Sequence, residues 1–293
     1  MFTLNSYAKI NLTLDVFSKR ADGYHGIASI MQTISLHDTL TFALSEGEGI
    51  AFTCEMGEGV PVPTDSTNLV VKAAQAAIEA SGKPLERGIS LHLEKRIPAQ
   101  AGLGGGSSNA AIALKGVNRL LDLGLNERQL HDCAASLGSD VPFFLYGGTA
   151  VARGRGEQIT PLDDAPRLSL VVVKPEENVS TGWAYGELDA IPDRASHRAT
   201  KRMEEALREG DSGRVIAFQS NDFELPVFQH FPRLAWLHDE MLMAGALTAH
   251  LCGSGSALYA VTATDADAER MANLLRKRHS NVHATYSLPR SHL

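Results

Sequence analysis

The sequence predicts an α+β protein of two domains, and three observations lead there. Strand-like and helix-like stretches are mixed without a regular βαβ alternation, which disfavours a doubly wound parallel sheet. At 293 residues the chain exceeds most single small domains, so one large or two modest domains are expected. The densest break in the pattern, Gly154-Arg155-Gly156 followed by the stretch from Pro161 to Pro166, lies near the middle and divides the chain into domains 1–157 and 158–293.

Hydrophobic residues make up 44% and charged residues 21%, enough apolar material for a core. The net charge of −7 argues against nucleic-acid binding by bulk electrostatics, yet leaves room for an anionic small molecule held by local positive charge. Cys54, Cys133 and Cys252 are widely spaced and form no C-x-x-C pair. That fits a reducing cytoplasm and excludes a familiar zinc framework. No apolar run reaches the length of a membrane span, and the first residues carry no basic or signal-like region. A cytoplasmic chain with no membrane or nucleic-acid partner is therefore expected.

Taken in order, 6–16 alternates: Ala8, Ile10, Leu12, Leu14 and Val16 face one way, Lys9, Asn11, Thr13 and Asp15 the other. This is the period of a half-buried strand. Asp22-Gly23 marks a turn, and 27–35 and 39–44 read as further strands. A helix is expected over 68–81, with Val70, Val71, Ala74, Ala77 and Ile78 on one face and Gly82 where it stops. Residues 88–97 form a strand with Ile89, Leu91 and Leu93 on one side. The Ala- and Leu-rich 110–121 is helical and closed by Gly124, and Asn126 caps another helix through 136. At Leu137-Gly138-Ser139-Asp140-Val141-Pro142 the pattern breaks; Pro142 suits the first turn of a short helix capped by Ser139 or Asp140. A strand over 149–153 follows. The second domain opens with a strand at 168–173, then helical stretches at 199–209, 215–219 and 234–243. A hairpin of 246–251 and 257–262 turns at Gly253-Ser254-Gly255-Ser256, before a helix over 266–278 and a strand over 282–288.

The most informative stretch joins the fourth strand to its helix: Pro98-Ala99-Gln100-Ala101-Gly102-Leu103-Gly104-Gly105-Gly106-Ser107-Ser108-Asn109. Glycines let backbone N–H groups close on a ligand, and first-turn helix N–H groups have no partner inside the helix. A phosphate site is the expectation. The stretch is not a Walker A loop, since no Lys-Ser/Thr follows, and it is neither G-x-G-x-x-G nor a nucleophile elbow.

Its form resembles the second motif of the GHMP kinase superfamily, whose members phosphorylate small metabolites with ATP. Ser6-Tyr7-Ala8-Lys9-Ile10-Asn11-Leu12 resembles the first motif of that superfamily, and Leu251-Cys252-Gly253-Ser254-Gly255-Ser256-Ala257 the third. The order is the expected one and the resemblance spans essentially the whole chain. It implies an N-terminal nucleotide domain like ribosomal protein S5 domain 2 and a ferredoxin-like C-terminal domain. Lys19-Arg20-Ala21-Asp22-Gly23-Tyr24-His25, with Leu137 to Phe143, is similar to the branch acting on a cytidine diphosphate ester of a sugar alcohol, in the non-mevalonate route to isoprenoids.

Phosphoryl transfer asks mainly for positioning and charge stabilisation. The acceptor hydroxyl is a poor nucleophile, and Asp140 is the candidate base; by itself it reads equally as a helix cap. Lys9 and Asn11, two apart on a strand, share a face, and an ammonium beside Asp140 would keep it ionised and offset developing negative charge. On the strand alone, Lys9 reads as a solvated side chain. Residues 98–108 would wrap the triphosphate, with Ser107 and Ser108 as hydroxyl donors. Mg2+ is expected to arrive with ATP, without assigned protein ligands. The resemblance places adenine near Asn68 and Lys95. Tyr24 would stack on cytosine and His25 hydrogen-bond its edge. Thr181 and an aromatic residue, Tyr185 with Trp183 as competitor, supply a second wall. Cys252 stands where the third motif usually has a hydroxyl residue. His279 and His283 lack a metal pattern and read as surface residues. A kinase for a different alcohol and a catalytically silent nucleotide-binding protein are the alternatives; Tyr24-His25 speaks against the first, Lys9 with Asp140 against the second.

Overall fold

The computed structural model of the chain describes residues 1–56, 62–191 and 199–292. In chain order the first elements are β1 (Phe2–Lys19), β2 (His25–Leu44), β3 (Ile50–Met56), α1 (Leu69–Ser81), β4 (Ile89–Lys95), α2 (Gly105–Leu120), α3 (Glu127–Leu137) and α4 (Phe143–Tyr146). Then come β5 (Thr149–Gly154), β6 (Gln158–Pro161), β7 (Ser169–Lys174), α5 (Thr181–Asp189), α6 (Ala199–Glu209), α7 (Ser212–Ala217) and β8 (Ser220–Asn221). The last are α8 (Glu224–His230), α9 (Pro232–Met243), β9 (Thr248–Leu251), β10 (Leu258–Thr262), α10 (Asp265–Leu275) and β11 (Asn281–Tyr286). Among the described residues no helix is long and apolar enough to cross a membrane.

The chain forms two compact units, Met1–Ala8 with Leu36–Ala99 and Gly104–Tyr146, and Lys9–Ser35 with Gln100–Leu103 and Gly147–Leu293. In the first unit β3 runs parallel to β4, with Phe52 opposite Leu91, and β4 runs antiparallel to the second half of β2, with Phe42 opposite Leu91. The alternation of β4 buries Ile89, Leu91 and Leu93. Helices α1 and α2 approach closely because their shared faces are alanine: Ala73, Ala74 and Ala77 on one, Ala110, Ala111 and Ala113 on the other, all inaccessible. Phe42 fills the space at Gly116, where a Cβ would lie 2.2 Å from its ring. Asn68 caps α1 through its side chain, and Asn126 with Gln129 forms a capping box on α3.

In the second unit β11, β7, β10 and β9 form an antiparallel sheet in that order. All of β7 is buried. The β9–β10 hairpin pairs Leu251 with Leu258, which leaves Cys252 to Ala257 as its turn. Val171, Val173, Leu251, Leu258, Met271 and Leu275 belong to the core beneath. Residues 27–32 of β2 pair antiparallel with β5, and Thr13 and Leu14 pair parallel with β8.

The mixed architecture agrees with the α+β expectation. The strands expected at 27–35 and 39–44 are one continuous strand, because the polar break at Leu36-His37-Asp38 is satisfied internally; Asp38 is wholly buried. Helix α5 was not expected: it buries only Ala184 and Leu188, too thin a stripe to register as a helical period.

Candidate active site

Three of the stretches singled out by their spacing meet in the second unit. Lys9 and Asn11 are 3% and 2% exposed, so Lys9 is not a solvated lysine. Its Nζ donates to Asn11 Oδ1 at 2.7 Å, and Asn11 Nδ2 donates to Ser29 Oγ at 2.8 Å. The backbone N–H of Lys9 donates to Leu103 O at 3.0 Å, which ties 100–103 to β1. Gly102, at φ 74°, packs so tightly on the β9–β10 turn that a Cβ would sit 1.8 Å from Cys252 O. Ala257 N donates to Ala101 O at 3.2 Å. Gly253 has φ 55°, and a Cβ there would lie 3.5 Å from Lys9 Nζ and 3.6 Å from Asn11 Oδ1. Cys252 is fully buried; burial pushes its thiol up to about 12, against a smaller opposing effect of the Lys9 charge. The thiol therefore stays protonated and inert, and the close approach to Gly102 is made by the main-chain oxygen of this residue.

The same unit holds the residues assigned to substrate choice. Tyr24 is 56% exposed, with the Arg155 guanidinium 4.6 Å from its ring centre. His25 is buried, its Nε2 2.7 Å from Asp189 Oδ1; a carboxylate only accepts, so Nε2 donates. Tyr185 stacks on His25 at 4.8 Å and 19°, and meets Phe223 edge-on at 4.9 Å. Trp183 packs on His230 and Phe231. Thr181 Oγ1 is 2.9 Å from Ser254 Oγ, joining the start of α5 to the β9–β10 turn.

In the first unit, α2 begins at Gly105 after Gly104 in the left-handed region, φ 69°. The first intrahelical bond is from Ser108 N to Gly104 O, so the N–H groups of Gly105, Gly106 and Ser107 have no helical acceptor. Gly106 is exposed and Ser107 half-buried. That cluster of amides at a positive helix end suits phosphate oxygens. The Ser108 hydroxyl is turned inward, accepting from Ser6 Oγ at 2.7 Å. Asn68 uses both ends of its amide, Oδ1 accepting from Val70 N and Nδ2 donating to Pro63 O. Lys95 Nζ donates to Asp38 Oδ2 at 2.6 Å and to Ile97 O at 2.7 Å. Asp140 is half-buried in the turn between α3 and α4; the four-residue helix begins at Phe143, so Pro142 precedes it rather than standing in its first turn.

His279 is half-buried near Glu240, and burial lowers the His283 imidazole pKa, so neither is the surface histidine expected. Among the described residues there is no group of three or more His, Cys, Asp or Glu able to hold a metal ion. Asp38, Asp189 and Arg155 were not singled out by sequence. The first two act on partners distant along the chain, and the third reads as an ordinary loop arginine.

Two family descriptions define the class: GHMP kinases N terminal domain matches residues 68–148, and GHMP kinases C terminal matches residues 203–281. The chain is 41% identical over 290 residues to the 4-diphosphocytidyl-2-C-methyl-D-erythritol kinase of Moorella thermoacetica, covering 98% of this chain and 99% of that protein. The kinase of the same name from Desulfitobacterium hafniense is 38% identical over 289 residues, covering 98% and 96%. A crystal structure of 4-(cytidine 5'-diphospho)-2C-methyl-D-erythritol kinase is 33% identical, covers 98% of this chain and 99% of its own, and superposes with a TM-score of 0.83. This chain belongs to the GHMP kinases, and within them to the family of 4-diphosphocytidyl-2-C-methyl-D-erythritol kinases.

Proposed function

We propose that this chain transfers the γ-phosphoryl group of ATP to the 2-hydroxyl of 4-diphosphocytidyl-2-C-methyl-D-erythritol, a step of non-mevalonate isoprenoid precursor synthesis in the cytoplasm. The observation that carries this is the 41% identity, over nearly the full length of both chains, to a kinase of that name. Residues 1–157 form the ATP-binding domain and 158–293 the C-terminal domain on the substrate side. The two family matches fall on either side of that boundary.

In this reading the amides of Gly105 to Ser107 receive the phosphates, with Pro98 to Gly104 shaping the loop and Ser108 anchoring it. Adenine lies on the side of Asn68 and Lys95. Asp140 accepts the proton of the acceptor hydroxyl, and Lys9, oriented by Asn11, offsets the charge that develops as the bond to phosphorus forms. The donors at the start of α2 are N–H groups and the Ser107 hydroxyl, which suit phosphate oxygens; Mg2+ would be held mainly by the nucleotide. When bound, Mg2+ neutralises charge on the β- and γ-phosphates.

Cytosine stacks on Tyr24 and is enclosed by Tyr185, while His25 hydrogen-bonds its edge. The exposure of Tyr24 and the seating of Tyr185 on His25 support this. Tyr24→Ala is expected to raise the KM for the cytidine substrate about five- to a hundredfold with the KM for MgATP unchanged, the loss of one aromatic stack on a base. Steady-state kinetics with each substrate varied in turn reads it. An unchanged cytidine KM removes Tyr24 from substrate binding.

A further inference from the structure

Asp38 is wholly inaccessible, and nothing above gives it a part in the reaction. Its surroundings are specific. Oδ1 accepts from the backbone N–H groups of Arg96 and Ile97, each at 2.7 Å. Oδ2 accepts from Lys95 Nζ at 2.6 Å and Asn109 Nδ2 at 2.8 Å. A carboxylate offers about four acceptor sites, and all are used. The four donors come from both ends of the glycine-rich stretch: Lys95, Arg96 and Ile97 lead into it, and Asn109 stands in the first turns of α2.

The rest of the network follows from that one acceptor-only group. Asn109 must present its amino end to Asp38, so its second N–H goes to Ser6 Oγ, at 2.8 Å. Ser6, having accepted, donates to Ser108 Oγ at 2.7 Å. Lys95 is neutralised in place beneath the start of α2: a Cβ on Gly105 would lie 3.0 Å from its Nζ. An ammonium lies there, under a positive helix end, only because a carboxylate holds it.

We propose that Asp38 is a positioning residue for the nucleotide: it clamps the entry and exit of the phosphate loop to β2 and so fixes the spacing of the Gly105 to Ser107 amides before ATP arrives. This rests on the assignment of those amides to the phosphates of ATP. A donor array held in advance loses less on binding than one ordered by its ligand.

Asn109→Ala cuts the exit tether and leaves the Lys95–Asp38 pair and both backbone bonds intact. It should raise the KM for MgATP about three- to tenfold, the equilibrium equivalent of one ordinary hydrogen bond, with the KM for the cytidine substrate unchanged. Amide hydrogen exchange at Ser108, whose N–H is bonded to Gly104 O at the start of α2, should accelerate in the nucleotide-free protein. Ser6→Ala removes the branch beyond Asn109, the Ser108 bond included, and leaves every bond to Asp38 in place, so it should move both readouts less than Asn109→Ala does. Asp38→Asn should exceed Asn109→Ala in both, since its amide would face the Lys95 and Asn109 donors. If Asp38→Asn does not fold, Asn109→Ala with Ser6→Ala decides alone. A lowered melting temperature with unchanged ATP KM and unchanged exchange would mean the network is only structural and would overturn the proposal, as would equal effects from Ser6→Ala. A wild-type protein that does not turn over ATP refutes the assigned reaction instead, and exchange at Ser108 still judges the clamp.

Discussion

Replacing Asp140 by Asn is expected to lower kcat by about 10²–10⁴-fold, the range for loss of a general base, while the KM for MgATP changes little. The acceptor is a sugar-alcohol hydroxyl, which stays protonated near neutrality and becomes a competent nucleophile only as its proton leaves. Asn keeps the size and the hydrogen-bonding edge of Asp140 and removes the ability to take that proton. The turn that carries Asp140 is half-buried and ends α3 at Gly138 before α4 begins at Phe143, so the change should not disturb a packed element. Loss confined to kcat identifies an interaction made in the transition state and absent from the ground state. Wild-type kcat in Asp140→Asn would leave phosphate positioning and the Lys9 charge to carry the reaction without a base.

Gly102→Ala should be the most damaging substitution in the loop. Its φ of 74° already costs an alanine about 1–2 kcal/mol. Its Cβ would sit 1.8 Å from Cys252 O, a backbone atom held by its hairpin, and relieving such an overlap typically costs a further 1–3 kcal/mol or so. The chain must separate 100–103 from the β9–β10 turn, and the Lys9 N–H bond to Leu103 goes with it. A fall of roughly 5–15 °C in the melting midpoint is expected, together with a large loss of kcat/KM for ATP. Gly124→Ala is the control: φ is 78° there, but no atom lies within 4 Å of the added Cβ, so only the backbone cost applies. Equal destabilisation by the two substitutions would deny the close approach.

What could be read from the chain followed the range of each interaction. The pairing of Lys9 with Asn11 was legible because a strand has period two, and the resemblance to a family motif weighed against a solvated lysine. The glycine stretch announced an anion site because its residue types serve little else at the start of a helix. The seating of Tyr185 on His25 and of Trp183 on His230 and Phe231 was not legible: both lie on α5, and their partners are distant along the chain. Asp38 was hidden for a different reason. Its partners Lys95 and Asn109 are 57 and 71 positions away, and a lone acid between two alternating runs reads as a break in a strand. The cysteine in the third motif looked like a lost donor, but the tight approach there is made by its carbonyl oxygen.

The central claim is that this chain is an ATP-dependent kinase whose acceptor is chosen by its cytidine end. ADP release from MgATP, measured with 4-diphosphocytidyl-2-C-methyl-D-erythritol and separately with homoserine, mevalonate and galactose, tests it most directly. Turnover with the cytidine substrate alone is the expected result. Comparable turnover of an acceptor that lacks cytidine, or none with any of the four, would contradict it.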